Sequence, residues 1–505
     1  MGNNKNNKVF AGSPLKPGSS IYFIGIGGIG MSALARYFNF HGTKVSGYDK
    51  TETPLTRQLE AEGINVHFEE NPDQADKQAE IVVYTPAIPQ EHKELQFFQQ
   101  HNYRLLKRSD VLGLITQSSF NICVAGTHGK TTITTMIAHL LRHSGYGCNA
   151  FLGGIAVNYN SNFWSHERNV CVIEADEYDR SFLKLSPDIA VITAMDADHL
   201  DIYGTADALE NTFIEFSARI KSGGLLVRKF GLPRGNELKG SRQLSYRLKD
   251  KSADAFATNI QMKHGSYEFD VQTKDWKLEK ILLNMGGMHN VENVTAAIAV
   301  AHELGIENEK IRAAVAAFQG VKRRFEYIIK RDKLVFVDDY AHHPEELRAL
   351  ITGAKSLFSN LKCLLIFQPH LFSRTRDFAD GFAESLDLAD EVILLPVYPA
   401  RELPIEGVTS NMLLKRMKNP NKQLMSKEEL MKWIGEGMGK ETWKWRVVGE
   451  ETKKGDRVVG EDSKVVGEDT NHGDSNHGTM IITAGAGDID ALVLPIKKMI
   501  ESIYS

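Results

Sequence analysis

Apolar runs of four to six residues recur along the chain. Most end in a cluster of glycine or charged residues, and a stretch with helical spacing follows. Ile21–Ile24 reads as a short strand, Gly25 to Gly30 as a glycine-rich turn and Met31–His41 as a helix. Lys44–Tyr48 reads as the next strand, with Asp49 at its end. Helix Thr56–Glu62, strand Ile81–Tyr84 and turn Thr85–Pro89 continue the alternation. Strands are then expected at Phe120–Val124, Asn169–Ile173, Ile189–Thr193, Leu225–Val227, Leu334–Val337, Cys363–Phe367, Glu391–Leu395 and Met480–Thr483. Helices are expected at Thr131–His143, Leu209–Ile220 and Val291–Leu304, with a further one from Glu345. This alternation predicts α/β domains with mostly parallel sheets. Residues 231–252 are polar and show no assignable period.

The chain has 505 residues, too many for one hydrophobic core, so three domains are expected. The pattern places them at 1–117, 118–320 and 321–505. A net charge of −4 provides no electrostatic footprint for nucleic acid. No apolar run is long enough to span a bilayer; glycines interrupt the best one, Ile21–Met31. The polar N-terminus lacks the apolar core of a signal peptide, and a cytoplasmic location is expected. The cysteines Cys123, Cys148, Cys171 and Cys363 are scattered and read as reduced, buried thiols. Residues Arg446–Gly478 contain VVGE followed by two copies of VVGED and read as an insertion, flexible or a crude β-ribbon.

The candidate chemistry sits at strand ends. Gly126 to Thr132 reads GTHGKTT between a strand and a helix. Glycines there turn backbone N–H groups toward anionic oxygens, and the helix N-terminus adds partial positive charge. Lys130 is placed for β/γ-phosphates and Thr131 for Mg²⁺. Gly25-Ile-Gly-Gly-Ile-Gly30 is a second phosphate loop of Rossmann type, with Asp49 suited to a ribose hydroxyl. Glu174-Ala-Asp-Glu-Tyr-Asp179 ends another strand, and such crowded carboxylates favour a cation among them. His199 is a further ligand or phosphate candidate. Asn290 and Asn293 open a helix as caps or purine contacts. In the last domain four strands end in Asp338–Pro344, Gln368–Arg376, Pro396–Glu402 and Ala484–Asp488, which a parallel sheet would gather in one crevice. No nucleophilic Ser or Cys stands in a recognisable frame. Two phosphate loops and a third domain carrying Arg and His suggest ATP-driven ligation.

The shortened loop G-x-x-G-K-T-T resembles that of Mur ligases and folylpolyglutamate synthetases. FIGIGGIGMS at Phe23, EADEYD at Glu174, DADHLDIYG at Asp196 and GMHNVENVTAA at Gly287 extend the resemblance to Mur ligases. RRFE at Arg323, DDYAHHPEE at Asp338, FQPHLFSRTRDF at Phe367, VYPARE at Val397 and GAGD at Gly485 carry it over nearly the whole chain. The resemblance implies a Rossmann-like domain for a UDP-sugar, a central ATPase domain and a Rossmann-like C-terminal domain. It implies that ATP phosphorylates the lactyl carboxylate of UDP-N-acetylmuramate and that the amine of L-alanine attacks the acyl phosphate. Gly25, Gly27, Gly28, Gly30 and Arg323 would bind the UDP-sugar, with Asp49 nearby. Gly126, Thr127, His128, Gly129, Lys130, Thr131 and Thr132 would hold the ATP phosphates, and Asn290 and Asn293 the adenine. Thr131 and Glu174 would bind one Mg²⁺ and His199 a second. Tyr340, His342 and Arg374 would serve the amino acid and the acyl phosphate. Lys130, His199, His342 and Arg374 form the implied catalytic set. Two departures stand out: Leu371 occupies a position where many members have Arg, leaving Arg374 and Arg376 for phosphate, and Arg401 stands where Gly is common. Two other readings remain. One is a family member adding a tripeptide to the same UDP-sugar; the other is an NAD-dependent oxidoreductase, which would leave GTHGKTT unexplained.

Overall fold

The computed structural model describes residues 14–85, 87–196, 200–263, 265–400, 402–437 and 478–503. His199, Arg401 and all of the Arg446–Gly478 insertion except Gly478 lie outside the described residues. The chain divides into two compact units, Met1–Lys322 and Arg323–Ser505.

The first unit holds two sheets. The smaller is wholly parallel, with β1 (Ser20–Ile24), β2 (Lys44–Tyr48), β3 (Asn65–His67), β4 (Ile81–Tyr84) and β5 (Leu105–Lys107) in the order 3-2-1-4-5. All five side chains of β1 are buried, as its unbroken apolar run requires of a central parallel strand. The larger sheet runs from β6 (Phe120–Ala125) through β7 (Asn149–Ala156), β8 (Ser161–Trp164), β9 (Val170–Glu174), β10 (Ile189–Ile192), β11 (Leu225–Lys229) and β12 (Arg242–Arg247). It ends with β13 (Ala255–Lys263), β14 (Ser266–Gln272) and β15 (Lys277–Leu283). Its spatial order is 15-14-13-12-11-10-6-9-7-8. The strands from β12 to β9 are parallel neighbours, with β6 between β10 and β9, so the phosphate loop leaves the middle of the sheet.

The β7–β8 pair and the antiparallel run β13–β14–β15 were not legible as strands. Gly153-Gly154 interrupts the apolar run of β7. β15 alternates Lys and Glu with apolar residues, and only one of its faces is covered. Helix starts also precede the expected ones. Apolar spacing marks the first residue that must be buried, whereas a helix begins at its cap. Pro54–Ala61 starts after Thr53, whose hydroxyl accepts the Thr56 N–H. Ala206–Ser217 starts after Thr205, which accepts from Ala208.

The two sheets of this unit share one apolar core. A buried polar knot joins them as well. Asn162 on β8 donates to Ile29 O at 2.5 Å and to Ser32 Oγ at 3.0 Å, and accepts from Arg36 Nη1 at 2.6 Å. Arg36 also pairs with Glu62 at 2.8 Å. The glycine turn at the head of helix Ile29–Phe40 is thereby fixed relative to the larger sheet.

The second unit is a six-stranded sheet of order 16-17-21-18-19-20. Its strands are β16 (Glu326–Arg331), β17 (Leu334–Asp339), β18 (Leu361–Phe367), β19 (Glu391–Leu394), β20 (Lys422–Leu424) and β21 (Gly478–Ala484). All neighbours are parallel except β16 and β17. The four cysteines are buried free thiols, as expected.

Candidate active site

Gly126 leaves β6 at φ +138°, and a Cβ there would overlap Thr193 Oγ1. Gly129, at φ +81°, heads helix Lys130–His143 without any side-chain cap. The first-turn N–H groups thus lack an intrahelical partner, which is what an anion site needs. The loop is tied to the end of β10: Thr193 Oγ1 donates to His128 O, and Thr127 Oγ1 accepts from Asp196 N at 3.2 Å. Lys130 Nζ donates to Gly126 O at 2.7 Å and to Glu177 Oε1 at 2.6 Å. Thr131 Oγ1 donates to Glu174 Oε1 at 2.9 Å, while Glu174 Oε2 accepts from Gly153 N at 2.9 Å. Thr132 is buried within the helix, and His128 is exposed, 3.9 Å from Asp196.

The acidic stretch does not gather its carboxylates around one point. Glu177 is fully buried against Lys130, Glu174 faces Thr131, Asp176 lies 3.7 Å from Arg108, and Asp179 is exposed. Their repulsion is balanced by Lys130, Arg108 and backbone N–H groups. Burial pushes the Glu174 and Glu177 carboxyls up, and Thr131 and Lys130 respectively oppose it. Among the described residues no group of three or more His, Cys, Asp or Glu is arranged to hold a metal. The Thr131 hydroxyl and the Glu174 carboxylate nevertheless form a pair of adjoining oxygen donors, the ligand type a hard divalent cation takes.

In the Rossmann-like sheet the glycine turn is largely satisfied by its own surroundings. Gly25 N and Ile26 N both donate to Tyr48 O, at 2.8 and 2.9 Å. Asp49 Oδ2 accepts from Gly27 N at 2.7 Å and Oδ1 from Thr51 N at 3.2 Å. The expected ribose contact of Asp49 therefore meets a carboxylate already engaged by backbone. The first turn of helix Ile29–Phe40 has no side-chain cap, and Gly30 lets Arg108 approach: a Cβ would lie 2.5 Å from Arg108 Nη1. A cleft of about 270 Å³ runs from Gly30 and Arg108 past Phe151 and Gly153 to Glu174 and Asp176. It runs inside one unit from the first glycine turn to Glu174, whose Oε1 accepts the Thr131 hydroxyl. Arg108 and Gly153 were missed in the sequence. Paired glycines in a strand are a signal of close backbone approach, and here a Cβ on Gly153 would overlap the Glu174 carboxylate.

Asn290 is buried, donates to Gly286 O at 2.6 Å and accepts from Asn293 Nδ2 at 3.1 Å. Neither amide caps the helix N–H groups, since the cap is Gly287 with no side-chain bond. Asn293 Oδ1 faces Gly129 of the phosphate loop.

In the second unit the strand ends do converge. Gln368 after β18 donates to Asp488 Oδ1 at 2.9 Å and accepts from Ile489 N at 2.9 Å, after β21. Arg323 pairs with buried Asp338 at 3.3 Å and donates to Gly485 O. Its assignment to the UDP-sugar thus meets a guanidinium held inside the second unit. Burial, opposed by Arg323, pushes the Asp338 carboxyl up to about 7. The Tyr340 ring lies 5.2 and 5.4 Å from the Arg323 and Arg324 guanidinium carbons. His342 Nδ1 lies 2.9 Å from Tyr340 O. A carbonyl only accepts, so Nδ1 carries the proton and Nε2 the lone pair of the neutral ring. Burial holds His342 below the usual imidazole range and favours that neutral form. Arg374 donates to His370 Nδ1 at 3.3 Å. His370, missed in the sequence, stacks on Tyr398 at 5.8 Å; burial and Arg374 lower its pKa to about 4. Arg376 turns away to Asp377 at 2.7 Å. Leu371 takes φ +69°, and its carbonyl accepts the Thr375 hydroxyl at 2.7 Å.

Comparison with known proteins follows this layout. Residues 20–119 match the Mur ligase family catalytic domain, 124–301 the Mur ligase middle domain and 323–440 the Mur ligase glutamate ligase domain. A UDP-N-acetylmuramate–L-alanine ligase of Flavobacterium johnsoniae is 45% identical over 487 residues, covering 95% of this chain and 98% of its own. One of Porphyromonas gingivalis is 44% identical over 490 residues, covering 96% and 99%. The crystal structure of a UDP-N-acetylmuramate–alanine ligase from Thermotoga maritima superposes with a TM-score of 0.74 at 26% identity, over 96% of this chain and 99% of that one. With three α/β domains matched in order and relatives this similar along nearly its full length, the chain belongs to the Mur ligase family.

Proposed function

We propose that the enzyme joins L-alanine to the lactyl carboxylate of UDP-N-acetylmuramate with conversion of ATP to ADP and phosphate, in peptidoglycan precursor synthesis. The single observation that carries this is the cleft leading from Gly30 and Arg108 to Glu174, beside Thr131 and Lys130. It leads from the diphosphate loop to Glu174, which meets Thr131 of the triphosphate loop, the path a carboxylate acceptor must cross to be phosphorylated. The division of labour is 1–117 for the UDP-sugar, 118–320 for ATP and 321–505 for the amino acid. The proposed place of action is the cytoplasm; no helix of the described residues is long and apolar enough to cross a membrane.

A carboxylate is a poor acyl donor until one oxygen leaves as phosphate. Gly126 to Thr132 holds the ATP phosphates, and Lys130 meets the charge on the transferring phosphoryl. Thr131 and Glu174 would hold Mg²⁺, which would supply neutralisation of phosphate charge. Asn293, facing Gly129, lies on the adenine side with Asn290. The alanine amine then attacks the acyl phosphate, and the tetrahedral intermediate collapses to an amide. Neutral His342 presents Nε2 to the amine's proton, and Arg374 and Tyr340 orient the amino acid.

ADP release measured with UDP-N-acetylmuramate and a panel of L-alanine, L-serine, glycine and the tripeptide tests this. L-Alanine is expected to give the highest kcat/KM, with no nicotinamide-dependent absorbance change. Preference for the tripeptide would assign the other family member's reaction. Lys130→Ala should lower kcat about a hundredfold or more, since one charged contact to the transferring phosphate contributes roughly 3 kcal/mol. A folded variant with normal turnover would remove the loop from the reaction.

A further inference from the structure

Lys130 has a partner that the family reading does not use. Glu177 is three residues beyond the Glu174 strand end, and its side chain is fully buried. Its Oε1 takes one ammonium hydrogen of Lys130 at 2.6 Å, and Gly126 O takes another at 2.7 Å. Among the described residues these are the two hydrogen bonds of the Lys130 ammonium, so one N–H direction is left for a phosphoryl oxygen. The backbone holds Glu177 in place from the other side. Its carbonyl accepts the Tyr203 hydroxyl at 2.5 Å and Arg180 N at 2.9 Å. Asp179 and Arg180 both take φ +54°, left-handed conformations that disfavour non-glycine residues, in consecutive positions. Backbone of this kind persists where surrounding contacts over-determine it. The turn is what returns the chain after Glu177 and leaves its carboxylate aimed inward at the loop.

Lys130 has competing attractions. Glu174 and Asp176 lie on the same strand end, and Lys130 contributes to the electrostatics of the Glu174 carboxylate. A lysine is a point charge on a flexible stem. Without a fixed partner it would fold onto Glu174 and take up the carboxylate beside Thr131.

We propose that Glu177 is a positioning residue for phosphoryl transfer, clamping the Lys130 ammonium between its carboxylate and Gly126 O so that the remaining N–H meets the transferring phosphate of a nucleoside triphosphate. The inference rests on the reading of Gly126 to Thr132 as the ATP loop. It separates Glu177 from Glu174: one aims the lysine, the other faces the cation.

A double-mutant cycle on the full chain tests it. Affinity for a non-hydrolysable ATP analogue is measured by calorimetry for the parent, Lys130→Ala, Glu177→Gln and the double variant, together with kcat and both KM values. Glu177→Gln is expected to lower kcat at least tenfold, to weaken the analogue severalfold and to leave the UDP-sugar KM within twofold. The double variant is expected to bind the analogue no worse than Lys130→Ala, because Glu177 acts only through the lysine. Glu177→Asp keeps the charge and should recover part of the lost kcat. If Glu177→Gln does not fold, Glu177→Asp carries the cycle in its place. Additive losses, or a parent-like kcat in folded Glu177→Gln, would overturn the proposal while leaving the ATP loop intact. An analogue affinity that Lys130→Ala does not change would overturn both.

Discussion

The hydroxyl of Thr131, in the first turn after the phosphate loop, donates to Glu174 Oε1 at the end of the neighbouring strand, at 2.9 Å. Two residues 43 positions apart thus present adjoining oxygens because β6 and β9 are parallel neighbours. Glu174→Gln keeps the shape and removes the charge. The Mg²⁺ concentration for half-maximal activity should rise roughly tenfold or more, the scale of a charge-assisted contact. KM for the UDP-sugar should change less. A Mg²⁺ titration with an unmoved midpoint would make Glu174 structural.

Gly153 donates its N–H to the other oxygen of Glu174, and a Cβ at this position would overlap the carboxylate. Gly153→Ala should therefore displace Glu174. Overpacking of this kind costs about 1–3 kcal/mol of stability. The loss of kcat should be larger than that of Glu174→Gln, since the alanine also intrudes on the cleft. A melting curve separates the two effects. Turnover like that of the parent would mean the carboxylate can move without consequence.

His342→Ala should affect alanine more than ATP. The ring is held by Tyr340 O on one side and lies 6.2 Å from His370 on another, all within the second unit. Loss of one polar contact to the substrate predicts about a tenfold drop in kcat/KM for alanine. The KM for ATP should stay within about twofold on the same reasoning. A selective rise in the ATP KM would move His342 to the nucleotide.

Glu94 is a buried carboxylate under the Rossmann-like sheet. It accepts Tyr22 OH at 2.7 Å and Asn71 N at 3.1 Å. Burial pushes its carboxyl from 4.5 up to about 7. A folded-state value above the unfolded one means the fold prefers the protonated acid. Its contribution to stability is complete below pH 4.5 and is lost as pH rises through about 7. Glu94→Gln stays neutral throughout. Urea midpoints of the parent should fall between pH 5 and pH 8 more steeply than those of the variant. Equal slopes would show that Glu94 does not titrate in that window.

Several parts of the molecule were legible in the chain itself. Apolar runs that end in glycine or charge identified the central parallel strands, because a strand buried on both faces must be apolar throughout, but not β3, β5, β7, β12 or β20. GTHGKTT and the glycine turn stood out as candidate phosphate loops, and glycine accommodates φ +81° at Gly129 and the close approach of Arg108 to Gly30. The strands β13 to β15, at one end of the larger sheet, were not legible; exposed positions along β13 and β15 carry polar and charged residues that make a segment look like a loop.

Partnerships were decided only by tertiary structure. From spacing alone Glu174, Asp176 and Glu177 are one acidic cluster. In the folded chain Glu174 meets Thr131, Asp176 meets Arg108 and Glu177 meets Lys130. Side chains leaving one strand end point in different directions, and each finds the cation or donor that another element brings there. Asp49 is spent on Gly27 N and Arg323 on Asp338 for the same reason. A residue's chemistry is written in the sequence, but its charge balance belongs to neighbours that are distant along the chain.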